Sequence, residues 1–189
     1  MFKKMTSLFA VAMITVSAFA QKVLVSDAAH SRIQFTVTHL GINDITGNLD
    51  TASLTINADE KSFVNSKLTF SADVNSINTH IEGRDKHLKS ADFFDVATYP
   101  KMDFVSTSIV KGKTANNYTL TGNFTMHGVT KPVSLTLVYR GSTMNKKMVY
   151  SYQVTGTIKR SDFGVGPKYP EAMISDAVAI KGDFELTEK

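Results

Sequence analysis

Residues 118–139 read YTLTGNFTMHGVTKPVSLTLVY. Tyr118, Leu120, Gly122, Phe124 and Met126 fall at every second position, and beyond His127-Gly128 the same period returns in Val133, Leu135, Leu137 and Tyr139. Successive side chains of a strand point to opposite faces, so this is extended chain with one buried and one wet face. The pattern spreads outward in both directions. Upstream, Ile33, Phe35, Val37 and His39 share a face opposite Arg32, Gln34, Thr36 and Thr38; Leu54 and Ile56 follow Gly47-Asn48, which has turn chemistry; then come Leu68, Phe70, Ala72 and Val74. Met102 and Phe104 lead a run to Val110, with a turn expected at Gly112. Downstream, Met148, Tyr150, Tyr152, Val154, Gly156 and Ile158 alternate, as do Val178, Ile180, Gly182, Phe184 and Leu186.

Eight strands at this spacing predict an all-β antiparallel domain, either an up-and-down barrel or a two-sheet sandwich. The barrel is the expectation. Gly122, Gly156 and Gly182 lie on the apolar face inside strands, where a sheet bends or a ligand comes close. A closed sheet also removes the edges that make a long antiparallel sheet prone to aggregation.

One stretch breaks the period. Thr79 to Pro100, THIEGRDKHLKSADFFDVATYP, concentrates charge, two histidines and two adjacent phenylalanines. Thr79 and Glu82 have capping-box spacing, and Asp85 and Lys89 are placed for an i,i+4 charge pair. Ser90 reads as the N-cap of a second turn, with Asp92 near its positive end. We expect one short helical insert near residues 80–96, and a helical turn near 168–174. At least one of Phe93 and Phe94 should pack onto the barrel, which would set the insert over an opening as a lid.

The insert also carries a resemblance. Arg84-Asp85, His87-Leu88, the run Ser90-Ala91-Asp92-Phe93-Phe94-Asp95 and Tyr99-Pro100 resemble the signature of the YceI-like family, exported bacterial polyisoprenoid-binding proteins with a lipocalin-like barrel. Asp27-Ala28-Ala29-His30-Ser31 with Ile33, Phe35 and Val37 is similar to that family's opening strand, His127 to Val133 to its mid-chain turn, and Arg160-Ser161-Asp162-Phe163-Gly164 to its closing motif. The resemblance implies a barrel that holds a long isoprenoid-type chain.

Composition sets the surroundings. Lys3 and Lys4, the apolar stretch Met5 to Val16, and Ala18-Phe19-Ala20 before Gln21 read as a secretory signal peptide over residues 1–20. Its apolar core is about a dozen residues, short of the roughly 20 needed to cross a bilayer. The expected product is periplasmic or secreted, and residues 21–189 form a single barrel domain; removing 20 residues from 189 leaves 169, enough for one substantial core. The chain has no cysteine, so neither a disulfide framework nor a thiolate site supports it. Without the leader lysines, 19 basic residues face 17 acidic ones, too even a balance for a nucleic-acid binder. Lys146-Lys147 reads as a solvated hairpin tip.

An eight-stranded barrel can be filled by its own side chains or can hold one small ligand. Small residues beside large aromatics fit either outcome, and the resemblance favours a tunnel. The candidate lumen set is Phe35, Val37, Phe70, Phe104, Leu120 and Phe124, continued by Leu135, Leu137, Tyr150, Tyr152, Phe163 and Phe184. Burying about 15 carbons would contribute on the order of 12 kcal/mol, against an association cost of about 4–15 kcal/mol, so chain length would decide affinity. At the mouth, His39, Arg84, His87, Phe93, Phe94 and Lys168 are the candidates for the head group, because arginine suits phosphate or carboxylate. Arg84 and Asp85 could equally form an ion pair that only anchors the lid.

No HExxH and no i,i+4 histidine pair occurs; His39, His80 and His87 are the best trio for a metal, and none is expected to bind one. His30 and His127 should bond backbone groups. No G-x-S-x-G elbow is present, so no catalytic residue is named. The expectation is a binding protein for a long amphiphilic lipid such as a polyisoprenoid or an isoprenoid quinone, with no other cofactor, acting as a monomer or homodimer and touching membrane surfaces transiently in lipid transport, storage or envelope stress protection. The rivals are an enzyme of the same fold working on a hydrophobic substrate at the mouth, and a solid barrel whose outer face engages another envelope component.

Overall fold

The alternating runs become the staves of one closed ring in the computed structural model, which describes residues 21–189. The expected leader lies outside the described residues. The strands are β1 (Gln21–Ser26), β2 (Arg32–His39), β3 (Asn43–Leu49), β4 (Ala52–Asp59), β5 (Lys67–Asp73) and β6 (Ile77–Asn78), followed by helix α1 (Glu82–Lys89). The second half contains β7 (Lys101–Lys111), β8 (Asn117–Met126), β9 (Val129–Asn145), β10 (Lys147–Lys159) and β11 (Ala177–Glu188).

Eleven segments make eight staves because three staves are interrupted. β11 pairs with β1 at Leu186↔Ser26 and with β2 at Asp183↔Arg32, so β1 and β2 are two halves of one stave. The break between them is an Asx turn in which the Asp27 carboxylate accepts the Ala29 N–H at 2.9 Å. β3 and β4 likewise share a stave, as do β5 and β6. These two breaks are stitched together: Asp50 N–H donates to Ser76 O, and Thr51 N–H to Ser76 Oγ. Each stave is antiparallel to its sequence neighbours, and the β1–β11 pairing closes the ring. The sandwich alternative is thereby excluded.

Several local expectations are corrected. Gly47-Asn48 is no turn but the middle of β3, where Gly47 sits opposite Phe35. A β-carbon on Gly47 would lie 2.3 Å from Phe35 Cζ, so this glycine makes room for a ring. Its turn-like composition reflects packing. The helical insert is shorter than expected: α1 ends at Lys89, and turns lead on from Ser90 to Pro100. Thr79 and Glu82 form no capping box; the Thr79 N–H donates to Asp85 Oδ1 at 2.8 Å instead, which also takes Asp85 away from Lys89. The turn expected near 168–174 is present as a single helical turn, Pro170 O accepting from Met173 N–H and Ile174 N–H, and it does not extend into a helix. Gly141-Ser142 sits at a bulge in β9, where Ser151 faces Gly141 and Tyr152 faces Tyr139, and Lys146 forms the hairpin tip beyond it.

The core has a floor. Phe63, from a single 3-10 turn between β4 and β5, stacks on Tyr152 at 5.6 Å and tilts against Tyr118 at 4.9 Å. Tyr139 adds a further ring 5.2 Å from Tyr152. Buried Leu24, Ile56, Leu137 and Leu186 complete this end.

Two glycines predict opposite signs. A β-carbon on Gly122 would meet Phe104 Cζ at 2.4 Å and the backbone oxygen of Val105 at 2.5 Å, and backbone cannot step aside. Gly122→Ala should cost about 1–3 kcal/mol in urea unfolding, seen as a lower midpoint at unchanged slope. Gly83 in α1 has open space around it, so Gly83→Ala should stabilise by about 0.5–1 kcal/mol in the same measurement.

Candidate lipid-binding cavity

Above the aromatic floor the barrel is hollow, with a cavity of about 440 Å³. That lies within the roughly 300–1,000 Å³ typical of small-molecule sites. Phe35, Val37, Phe70, Phe104, Leu120, Phe124, Leu135 and Phe184 all face it, each from the inward side of its strand. Leu137, Tyr150, Tyr152 and Phe163 do not. Leu137 and Tyr152 belong to the floor, where burial pushes the Tyr152 hydroxyl up. Tyr150 is drawn aside to accept a 2.8 Å hydrogen bond from Lys22 Nζ. Phe163 packs edge-on to Phe124 at 5.4 Å, in the layer above. Alternation identifies the face of a strand but not the height along the barrel.

Much of the wall is aliphatic and was not among the candidates: Ile33, Ile45, Val133, Val154, Ile158 and Ile180 all contribute. They carry the same period-two signal as the aromatics. The remaining polar wall residues gather at one end, where α1, the 164–176 loop and the β2–β3 hairpin meet.

Thr79 is the knot that fixes α1 there. It is buried, and its hydroxyl and N–H both donate to Asp85 Oδ1. Arg84 closes on the same residue, donating from Nε to Thr79 Oγ1 at 2.7 Å and from Nη2 to Thr79 O at 2.9 Å. No direct Arg84–Asp85 ion pair forms among the described residues; both side chains converge on Thr79. Arg84 lines the cavity, and no described protein group takes its Nη1.

His87 and Phe93 meet the 164–176 loop. Phe93 stacks on Tyr169 at 4.6 Å, and the His87 ring stands edge-on to Phe93 at 5.1 Å. His87 Nε2 lies 3.0 Å from the Tyr169 hydroxyl and 3.5 Å from Asp92 Oδ2. Lys168 does not line the cavity; its ammonium donates to Asp92 Oδ1 at 2.7 Å, and this hydrogen bond and charge hold the Asp92 carboxyl below its ordinary range. These charges are exposed, so the stacked rings and buried Phe93 hold the lid more than the ion pair does. Phe94 and His39 also line the mouth.

Histidines scatter. His80 sits at a positive φ of 62° and lines a separate polar hollow with Arg32 and Asn48, apart from His39 and His87. Among the described residues no three His, Cys, Asp or Glu side chains come together to hold a metal. His127 Nδ1 lies 3.1 Å from Phe163 O, as expected of a backbone-bonded histidine. His30 differs, pairing with the Asp27 carboxylate at 2.8 Å.

Arg160 is the residue that sequence reasoning missed. It is only 7% exposed, lines the cavity, and donates to five backbone carbonyls: Ser175, Val165, Gly166, Tyr169 and Ile174. One guanidinium thus organises the whole 164–176 loop. The Arg-Ser-Asp-Phe-Gly motif held the signal, but a charged residue reads as surface unless its partners are known.

Comparison with known proteins agrees with this architecture. A family model described as a YceI-like domain matches residues 24–186. A UPF0312 protein of Pectobacterium atrosepticum is 36% identical over 141 residues, covering 74% of this chain and 72% of the relative. The crystal structure of a Campylobacter jejuni YCEI protein superimposes with a TM-score of 0.73 at 31% identity, over 80% of this chain and 90% of that one. A polyisoprenoid binding domain from Saccharophagus degradans, implicated in plant cell wall breakdown, aligns at a TM-score of 0.69 over 90% of this chain and all of its own; at 16% identity that likeness is one of fold.

Removing the guanidinium should loosen the rim. Arg160→Met leaves five carbonyls without their donor and should cost about 3 kcal/mol or more, while Arg160→Lys, with three donors on one point, should fall in between. Denaturant midpoints give the order, and amide exchange across residues 164–176 should quicken before the rest of the barrel.

Proposed function

Since the chain belongs to the YceI-like family, we propose that it is a lipid-binding protein that takes one extended amphiphile tail-first into the barrel, with the head group left at the Arg84 rim. The observation that carries this reading is the cavity itself: about 440 Å³, walled mainly by hydrocarbon, floored by aromatic rings and with its charged wall residues gathered at one end. A lumen of about 440 Å³ has room for a run of chain carbons and not merely a small head group. Contact with that much hydrocarbon offsets the cost of association without a strong polar anchor. The polyisoprenoid-binding neighbour supports an isoprenoid tail. The tail of a polyisoprenoid or isoprenoid quinone is the candidate occupant, and Arg84 Nη1, which no described protein group takes, is the donor available to a phosphate or carbonyl oxygen.

Binding, not turnover, is the function the rim supports. His87, Asp92 and Lys168 bond to one another and to Tyr169, and none of them presents an activated nucleophile to the lumen. We place the mature protein in the periplasm or outside the cell on the strength of Lys3, Lys4 and the apolar stretch that follows them. Lipid transport or storage, or protection of the envelope under stress, are the roles such a carrier would serve.

Native mass spectrometry of protein purified from its own host should show a mass increment that lipid extraction identifies as a long-chain amphiphile; an empty barrel that also refuses added polyprenyl and long acyl chains would end the proposal. Filling the lumen tests the site. Val154→Trp should lower affinity at least about tenfold, since every displaced methylene forfeits roughly 0.8 kcal/mol. His87→Ala should leave affinity within a few fold, and Arg84→Gln should weaken only ligands with an anionic head.

A further inference from the structure

The hairpin joining β2 to β3 ends in side chains that a water-facing turn does not need. Leu40 is 53% exposed and Ile42 87%, and Met173, whose carbonyl accepts the Leu40 N–H, is 43% exposed. Leu40 and Gly41 have φ of 53° and 70°, and Ile42 N–H closes the turn on His39 O at 3.2 Å, within a three-residue loop between His39 and its cross-strand partner Asn43. Asparagine or glycine normally fills the position Leu40 holds, so a leucine there is disfavoured both by backbone conformation and by exposure.

The tip is held in place. Ser175 N–H donates to Thr38 O, Thr38 N–H donates to Ser175 Oγ, and His39 bridges to Ile174. It is also continuous with the cavity: Val37, His39, Met173 and Ile174 line the lumen, and Leu40 and Ile42 extend that apolar wall outward past the mouth.

We propose that Leu40, Ile42 and Met173 form the surface by which the protein docks on a lipid bilayer, with the mouth opened to the acyl layer so that the ligand passes between membrane and lumen without crossing water. The inference rests on the reading of the cavity as a lipid site. The ligand's own chemistry selects the bilayer. Each methylene lowers escape into water about fourfold, so a chain of about 15 carbons leaves a membrane for water with a penalty on the order of 10⁸ or more. Such a chain moves at a useful rate only where mouth and membrane touch. Three apolar side chains are few for a stable protein interface, which covers about 800 Å² per partner. They suffice for a brief insertion, in which each buried side chain multiplies partitioning roughly ten- to a hundredfold.

The chain has no tryptophan, so a single introduced indole reports without background. With vesicles of phosphatidylethanolamine and phosphatidylglycerol, Ile42→Trp should shift its emission to the blue and be quenched by brominated lipid. A tryptophan at Val110, exposed at the far end of the barrel, should do neither. The double variant Leu40→Asn, Ile42→Asp should lose vesicle co-sedimentation at least tenfold and extract a polyprenol from vesicles at least tenfold more slowly, while loading the same polyprenol from detergent as the unaltered protein does. An unshifted Ile42→Trp, or a double variant that extracts at the original rate, overturns the docking proposal and leaves the cavity reading intact. A dimer in vesicle-free solution that the double variant converts to monomer would assign the tip to a second copy of this chain and likewise overturn it. Failure of the unaltered protein to load from detergent would count against the cavity reading instead, and the indole shift judges docking without any ligand.

Discussion

Every inward side chain of a closed eight-stave ring must share one lumen, and a ring of that size is just wide enough for those side chains to fill it. Hollowness therefore depends on where the bulk is put. This chain sends large rings to the two ends and into the wall. Phe63, Tyr118, Tyr139 and Tyr152 make the floor, while Phe93 and Tyr169 stack at the rim. Between them, Phe35 and Phe104 lie where Gly47 and Gly122 have no side chain, so each ring is taken into the wall. The centre stays open because bulk is sorted by height and by depth, although the overall composition would also serve a solid core.

The rim shows how a polar edge can be fastened to an apolar chamber. Arg160 carries a charge into a buried position, which is tolerable only because five carbonyls surround it, and those carbonyls are the irregular backbone that the 164–176 loop would otherwise leave unsatisfied. Thr79 does the same for the insert on a smaller scale, uniting the helix start, Arg84 and Asp85. The two knots hold the lid and the loop by separate means, and the Phe93–Tyr169 stack joins them. The polar end is thus framed by fixed elements, and Arg84 and His39 are among the residues that line the lumen there.

Much of this was legible because strand periodicity is a geometric necessity. The eight alternating runs correspond to the eight staves, and the one aperiodic stretch is the one that leaves the sheet. What escaped is what periodicity does not encode. β1, with its short Val23-Leu24-Val25 core, shows no alternation and was not anticipated, yet it closes the ring through β11. Gly47-Asn48 has turn composition for a packing reason. Leu137 and Tyr152 face inward as expected but stand at the floor, since the distance along a strand to the barrel end depends on tilt and register, which only pairing reveals. Arg160 was hidden because its five partners are backbone groups with no side-chain signature, and the Thr79–Glu82 spacing suits a capping box equally well until Asp85 competes for the same N–H.

A chamber with aromatic rings at one end and charged side chains at the other is polarised along its axis. On the proposed reading the tail leads, because the charged groups of the wall stand at the rim and the floor is built of aromatic rings. On that reading tail length would be set by the depth of the floor and head chemistry by the few residues around Arg84, two determinants at opposite ends of the lumen. Such sites vary independently: moving Phe63 or Tyr152 would change the length admitted without touching the rim, and replacing Arg84 would change the head group without changing the depth. On that reading one barrel architecture could serve different amphiphiles, with ligand identity decided by the aromatic floor and the arginine rim more than by the aliphatic wall between them.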